Sequence, residues 1–352
     1  MNDREFGLKK LQLLGCSSLS DTEIRFLLDL TRTFADVPQS KTIPLLTGKT
    51  VVNLFFENST RTRASFDLAI RRLGGSVVQF AASTSSVQKG ETLIDTARNL
   101  EAMGPNGIIV RHPSAGSPEV LARSLSIPVI NAGDGFHEHP TQALLDVYTM
   151  EQKLGSLRNR NVVIVGDIAH SRVARSNIHL LNKLGASVTV CGPPTLLPPH
   201  PEVLGVSSSY HLDPLLPEAD VIMTLRIQQE RQNRMQFPSV QEYARFWGIS
   251  RERAQKLKST AMILHPGPIN RGIEIAPEVA DGKHSAILNQ VSNGILVRMA
   301  VLAAVVAPEQ LQTWLATHPI SGRKETPTSS KDLKQPAAAK GLSHQHNCEE
   351  QK

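Results

Sequence analysis

Cysteine is scarce. Cys16, Cys191 and Cys348 are the three in 352 residues, and their spacing suits neither a metal-ligand set nor a disulfide framework. Aromatic side chains make up 4%, too few for the stacking platforms on which single-stranded nucleic acids lie. No apolar run approaches the length expected of a bilayer-crossing helix. The opening residues Met1-Asn2-Asp3-Arg4-Glu5 lack the basic-then-apolar pattern of a secretory signal. Val165-Gly166-Asp167 invites a nucleotide-binding reading, but no Gly-x-Gly-x-x-Gly follows to bring the backbone close to a pyrophosphate. The net charge of +6 admits nucleic acid as a partner, yet outside the tail the basic residues are dispersed, and a mildly basic surface is the better reading. These absences together lead us to expect a reduced, cytoplasmic protein with no membrane and no nucleic-acid partner.

What is present is ample apolar material. Hydrophobic residues reach 40% and charged residues 20%, so a sizeable core is possible and the length suits two domains. Ser20 and Glu23 have capping-box spacing, followed by Ile24, Leu27 and Leu28 on one helical face. Strands are expected at 50–56, 76–80, 107–110 and 128–131, alternating with helices at 63–73, 92–103, 118–126 and 140–154. After Gly155 the pattern restarts, with strands at 161–165, 187–191, 220–225 and 261–264, a helix at 172–184 and a last helix at about 292–306. Such alternation predicts an α/β fold of two domains, each a mostly parallel sheet flanked by helices, joined by the helix at 140–154. A tail at 323–352, rich in Lys, Ser, Pro, Gln and Ala, is expected to be disordered.

In open parallel sheets ligands bind beyond the carboxyl ends of the strands, so the residues after each strand matter most. After the first strand comes Glu57-Asn58-Ser59-Thr60-Arg61-Thr62-Arg63. A helix start offers unpaired N–H groups and a positive dipole end. Hydroxyls and guanidiniums here reinforce both, and arginine matches phosphate through paired donors. A plain capped helix with solvated arginines is the alternative, and it would win for a lone Ser-Thr pair. Arg111-His112-Pro113 ends another strand. His139-Pro140-Thr141-Gln142 opens the long helix, with Pro140 in its first turn, His139 at the cap and Gln142 on the same side. In the second half Arg172 and Arg226 stand at separate strand ends, where each could grip a carboxylate or serve as a surface ion pair. His265-Pro266-Gly267-Pro268 reads as a rigid turn.

These segments, with Lys89-Gly90-Glu91-Thr92, Arg226-Ile227-Gln228 and the continuation Ile269-Asn270-Arg271-Gly272, resemble the aspartate/ornithine carbamoyltransferase family over about residues 14–302. The Ser-Thr-Arg-Thr-Arg run alone resembles the family as a whole. His-Pro-Thr-Gln and His-Pro-Gly-Pro-x-Asn-Arg-Gly resemble its aspartate branch, since the ornithine branch would place cysteines where Thr141 and Gly267 stand. The resemblance implies a carbamoyl-phosphate-binding first domain at 1–148 with helices in 290–318 packing back on it, an aspartate-binding second domain at 149–289, an active site in the cleft between them, and carbamoyl transfer to L-aspartate on the route to pyrimidines. It implies that Ser59, Thr60, Arg61 and Thr62 bind the phosphate of carbamoyl phosphate. Thr62, Arg111 and His139 would point at the carbonyl oxygen as catalytic donors, and Gln142 would hold the amide. Gly267 and Pro268 would close the pocket with backbone groups, while Arg172, Arg226 and Gln228 hold aspartate. Lys89, with Ser85, would come from a loop of a neighbouring subunit, so the expected assembly is a homotrimer with shared sites. Regulatory or dihydroorotase-like chains are possible further partners. No metal, cofactor or covalent nucleophile is expected.

Two other readings compete with this one. His137-x-His139 has the spacing of two metal ligands on a strand, as in a metal-dependent hydrolase, but the pair sits in a loop closed by Pro140 with no ligand cluster after it. A non-catalytic scaffold on the same fold would be expected to lose the arginines, which are all here.

Overall fold

The structure is a computed structural model that describes residues 12–81, 90–227 and 239–320. Ser85, Lys89, Gln228, Cys348 and the tail at 323–352 lie outside the described residues.

The first helix, α1 (Asp21–Ala35), starts as its capping box predicts. The Ser20 side chain accepts from the Glu23 N–H, and the Glu23 carboxylate accepts from the Ser20 N–H. This reciprocal pairing satisfies two orphan donors. Strands β1 (Thr50–Phe55), β2 (Ser76–Ala81), β3 (Gly107–His112) and β4 (Val129–Asp134) form a parallel sheet in the order β2-β1-β3-β4. Helices α2 (Thr60–Arg72), α3 (Leu93–Glu101) and α4 (Ser117–Ser124) connect them. β1 is apolar on both faces apart from the buried Asn53 because both faces are covered, with Val51, Val52, Leu54 and Phe55 all buried. The second sheet is also parallel, in the order β7-β6-β5-β8-β9, from β5 (Asn161–Val165), β6 (Ser187–Cys191), β7 (Ser207–Ser209), β8 (Val221–Thr224) and β9 (Met262–Leu264).

Between the sheets runs α5 (Pro140–Leu154), buried at every residue from Pro140 to Glu151. It packs against α6 (Arg172–Lys183) and α10 (Ile287–Val306). Short helices α7 (Val240–Trp247), α8 (Arg251–Gln255) and α9 (Pro277–Ala280) flank the second sheet, and α11 (Pro308–Leu315) follows α10.

Three expectations need correction. α2 begins at Thr60 rather than at residue 63, because its hydroxyl and guanidinium residues, which look like loop, form the first turn. Arg111 lies inside β3, which runs on to His112. The expected lack of any membrane-length apolar run fails for α10. It has 20 residues with a mean hydropathy of 1.3 over its best window, 72% of which is buried inside the protein. α10 begins five residues earlier than expected and packs on α1, α2 and α5. A helix enclosed on several sides loses the polar stripe that would mark its start. Its buried polar members have protein partners: Asn293 donates to Thr149 Oγ1 at 2.9 Å, and Arg298 donates to the Gly294 carbonyl at 2.8 Å.

Candidate active site

Each sheet has one point where successive crossovers leave in opposite directions, and these are the crevices where open α/β sheets bind ligands. In the first sheet the point lies between β1 and β3; in the second it lies between β5 and β8. Side chains from both points line a single cavity of about 870 Å³. Ser59, Thr60, Arg61, Thr62 and Arg111 reach it from the first sheet, and Arg172 and Arg226 from the second. His139 and Gln142 enter from the start of α5, and Gly267 and Pro268 from the turn after β9. All the expected site residues that are described therefore meet in one cavity, which is of the size that takes small ligands.

At the first switch point, Ser59 occupies the cap of α2 without a side-chain capping bond. The N–H groups of the first turn thus face the cavity beside the hydroxyls of Thr60 and Thr62. Gly267, at φ +64°, brings the late turn against Arg61, and a Cβ there would overlap the Arg61 guanidinium. The Gly267–Pro268 bond is cis.

Two further arginines are fastened by one acid. Glu57 Oε2 accepts from Arg111 Nε at 3.2 Å and from Arg172 Nη2 at 2.8 Å. Arg111 Nη1 also donates to the Ala132 carbonyl, and Arg172 Nη1 to the Gly135 carbonyl, each at 3.2 Å. Gly133, at φ +117°, lies between them. A Cβ at that position would come within 3.1 Å of Arg172 Nε and 3.4 Å of Arg111 Nη1, so a side chain there is excluded by backbone strain and by crowding. Arg172 opens α6, which Ser171 caps by accepting from the Ala174 N–H at 3.1 Å.

Among the described residues five arginines line the cavity, counting Arg298 from α10. Their mutual field acts on the two buried histidines. His139 is held well below the usual imidazole range, first by burial and then by Arg111, Arg172 and Arg298. His265 is pushed down to about 3 by burial, with Arg61 and Arg226 adding to the effect. Both are neutral at pH 7. The Gly267 N–H donates to His265 Nδ1 at 2.7 Å, so the His265 proton sits on Nε2. Arg61 itself is lowered by burial and by Arg226, a sign that the two cations are held close. Such a cavity favours dianionic or paired anionic ligands.

Sequence reasoning missed several lining residues. Arg298 left a signal, a single cation within an apolar stretch of α10. Gln290 left none. Asp167 and His170, in the segment after β5, also line the cavity. They are bonded to each other, with His170 Nδ1 2.9 Å from Asp167 Oδ1. As for the metal reading, His137 pairs with Asp134 Oδ2 at 3.0 Å, whereas His139 sits in the cavity. Glu119, Asp134 and His137 do cluster. However, the Asp134 carboxylate already accepts from Asn131, Gly116 and the Glu138 N–H, so it braces the loop before α5.

Fold and cavity together define an α/β enzyme with two parallel sheets that brings small anionic molecules into one cleft. The family model described as the aspartate/ornithine carbamoyltransferase carbamoyl-P binding domain matches residues 12–152, and the one described as the Asp/Orn binding domain matches 158–305. The chain belongs to the aspartate/ornithine carbamoyltransferase family. It is 54% identical over 296 residues to the aspartate carbamoyltransferase catalytic subunit of Myxococcus xanthus, covering 84% of this chain and 99% of that one. It is 58% identical over 262 residues to that of Opitutus terrae, covering 74% and 83%. Among solved structures it resembles aspartate transcarbamoylase from Trypanosoma cruzi in complex with N-(phosphonacetyl)-L-aspartic acid. That match has a TM-score of 0.77 and 32% identity, with 84% and 96% of the two chains covered. Ornithine carbamoyltransferase from Thermus thermophilus matches with a TM-score of 0.76 and 26% identity, covering 85% and 100%.

Proposed function

We propose that this chain transfers the carbamoyl group of carbamoyl phosphate to the amine of L-aspartate, giving N-carbamoyl-L-aspartate and phosphate in de novo pyrimidine synthesis. The observation that carries this reading is the shared cavity, in which a helix-start phosphate cradle faces a second pair of strand-end arginines. The relatives named as aspartate carbamoyltransferases, and Thr141 and Gly267 in place of the cysteines expected of the ornithine branch, support aspartate as the acceptor.

Each step follows from the chemistry of the donors. Ser59, Thr60, Arg61 and Thr62 take the phosphate through N–H, hydroxyl and guanidinium groups. As the amine attacks the carbamoyl carbon, negative charge builds on the carbonyl oxygen. Thr62, Arg111 and a neutral His139 can donate to it, each such donor contributing about 3–4 kcal/mol in comparable holes. Arg172 and Arg226 hold the two carboxylates of aspartate, with Gln228 and a neighbour's Lys89 as further partners. Fixing both substrates in attack geometry supplies roughly 7–11 kcal/mol. The C–O bond to phosphate then breaks, and the departing phosphate takes the amine proton. In this reading residues 1–148 with helices in 290–318 bind carbamoyl phosphate, and 149–289 bind aspartate. The working form is a cytoplasmic homotrimer with sites completed across subunits.

The test is a carbamoylation assay that offers aspartate and ornithine side by side. Aspartate alone should be carbamoylated, with no pre-steady-state burst of a carbamoyl-enzyme. Preferential carbamoylation of ornithine, or a burst, contradicts the reading.

A further inference from the structure

Asp146 lies one helical turn beyond Gln142 on α5 and is fully buried. Its Oδ1 accepts from Gln142 Nε2 at 2.8 Å and from Gln290 Nε2 at 2.7 Å, and its Oδ2 accepts from Asn177 Nδ2 at 2.8 Å. One carboxylate thus joins α5, α6 and α10. The direction of these bonds is determined. The His265 N–H donates to Gln290 Oε1 at 2.9 Å, so Gln290 has only its NH2 to offer Asp146, and Asp146 must accept. An ionised carboxylate accepts and never donates. Gln142 must therefore also turn its NH2 inward, which leaves its Oε1 for the cavity that Gln142 lines.

We infer that Asp146 is a positioning residue, which locks the Gln142 amide with its oxygen toward the cavity and so selects an acyl phosphate bearing an N–H donor, the NH2 of a carbamoyl group. The inference rests on the proposed function and deepens it. A site that offers a buried acceptor discriminates against an isostere with no donor, because that acceptor is left unpaired. Acetyl phosphate, with a methyl in place of the NH2, is such an isostere.

The same geometry makes the lock sensitive to protonation. Burial pushes Asp146 up to about 6, against the lowering effect of its three amide bonds and of Arg298. The groups facing it are few. From α6 there is the uncharged Asn177, and from α10 the uncharged Gln290 and the cation Arg298. From its own helix there is Gln142, with neutral His139 beyond. A protonated Asp146 acquires an O–H donor, which allows the Gln142 amide to turn round.

The experiment measures the preference for carbamoyl phosphate over acetyl phosphate, as a ratio of Kd values by calorimetry, in the full wild-type chain, Asp146→Asn, Gln142→Ala and the double variant. The preference should fall about tenfold, the worth of one such hydrogen bond, in each single variant and no further in the double. In the wild type it should also fall as pH drops from 7 to 5, and in Gln142→Ala it should stay flat. Should Asp146→Asn fail to fold by circular dichroism, the pH series in these two folded proteins decides. An unchanged preference in Asp146→Asn, additive losses in the double variant, or a wild-type preference flat in pH would overturn the inference. A wild type that binds carbamoyl phosphate but carbamoylates no aspartate would defeat the acceptor assignment while leaving the lock standing. A wild type that binds neither acyl phosphate would overturn both.

Discussion

Arg61, Arg226 and His265 form one electrostatic group in the cavity, in which two cations act on a buried imidazole. Nothing in the cavity needs His265 charged, and its folded value near 3 lies below the roughly 6.5 of an unfolded chain. Protons therefore bind the unfolded state first as pH falls through about 6.5, and this residue withdraws stability on the acid side. Removing one cation should relax the group. Arg61→Ala is expected to raise the His265 pKa, read by NMR titration, and to weaken inorganic phosphate at least tenfold, the loss typical of one charge-assisted bond. An unmoved His265 would mean that burial alone sets its value. The strand-end clusters at Ser59–Thr62 and Arg111 were readable in sequence because several phosphate-type donors crowd one turn, which no structural need explains. Asp146 was not readable. It is one of two acids on a mostly buried helix, and its partners Asn177 and Gln290 stand 31 and 144 positions away.

At the scale of elements, α5 and α10 carry the connection between the two sheets. Their boundaries were unequally legible. α5 opens with Pro140 and closes at Gly155, strong local signals at both ends. α10 has no side-chain cap, begins with the exposed Leu288 and Val291, and is apolar over most of its surface, so periodicity placed its start five residues late. The buried carboxylate between these helices has a thermodynamic consequence opposite to that of His265. Asp146 near 6 lies above the unfolded aspartate value of about 3.9, so folding favours its protonated form. Its ionisation costs stability at neutral pH, and the cost is relieved as pH falls through about 6. The stability of the wild type relative to Asp146→Asn should therefore rise between pH 7 and 5 in urea titrations. A difference constant with pH would show that the carboxylate does not titrate in that range.

At the scale of the whole molecule, the two-sheet arrangement matters because it sets two switch points against each other. The parallel sheets could be read from strand-helix alternation. The orders β2-β1-β3-β4 and β7-β6-β5-β8-β9 could not, because crossover direction leaves no local mark, and the three-residue β7 is all serine and has no apolar residue to show a period. The proposed trimer makes a separate prediction. Mixed Lys89→Ala and Arg111→Ala chains should regain activity through hybrid sites once subunits exchange, and no recovery after confirmed exchange would count against sharing. The central claim, that one cavity accepts two anionic substrates together, is tested most directly by calorimetry with a bisubstrate mimic carrying a phosphonate and two carboxylates. The predicted result is one site per chain, weakened at least tenfold by Arg61→Ala and likewise by Arg226→Ala. Binding sensitive to only one of these arginines, or binding at two independent sites, would contradict the account.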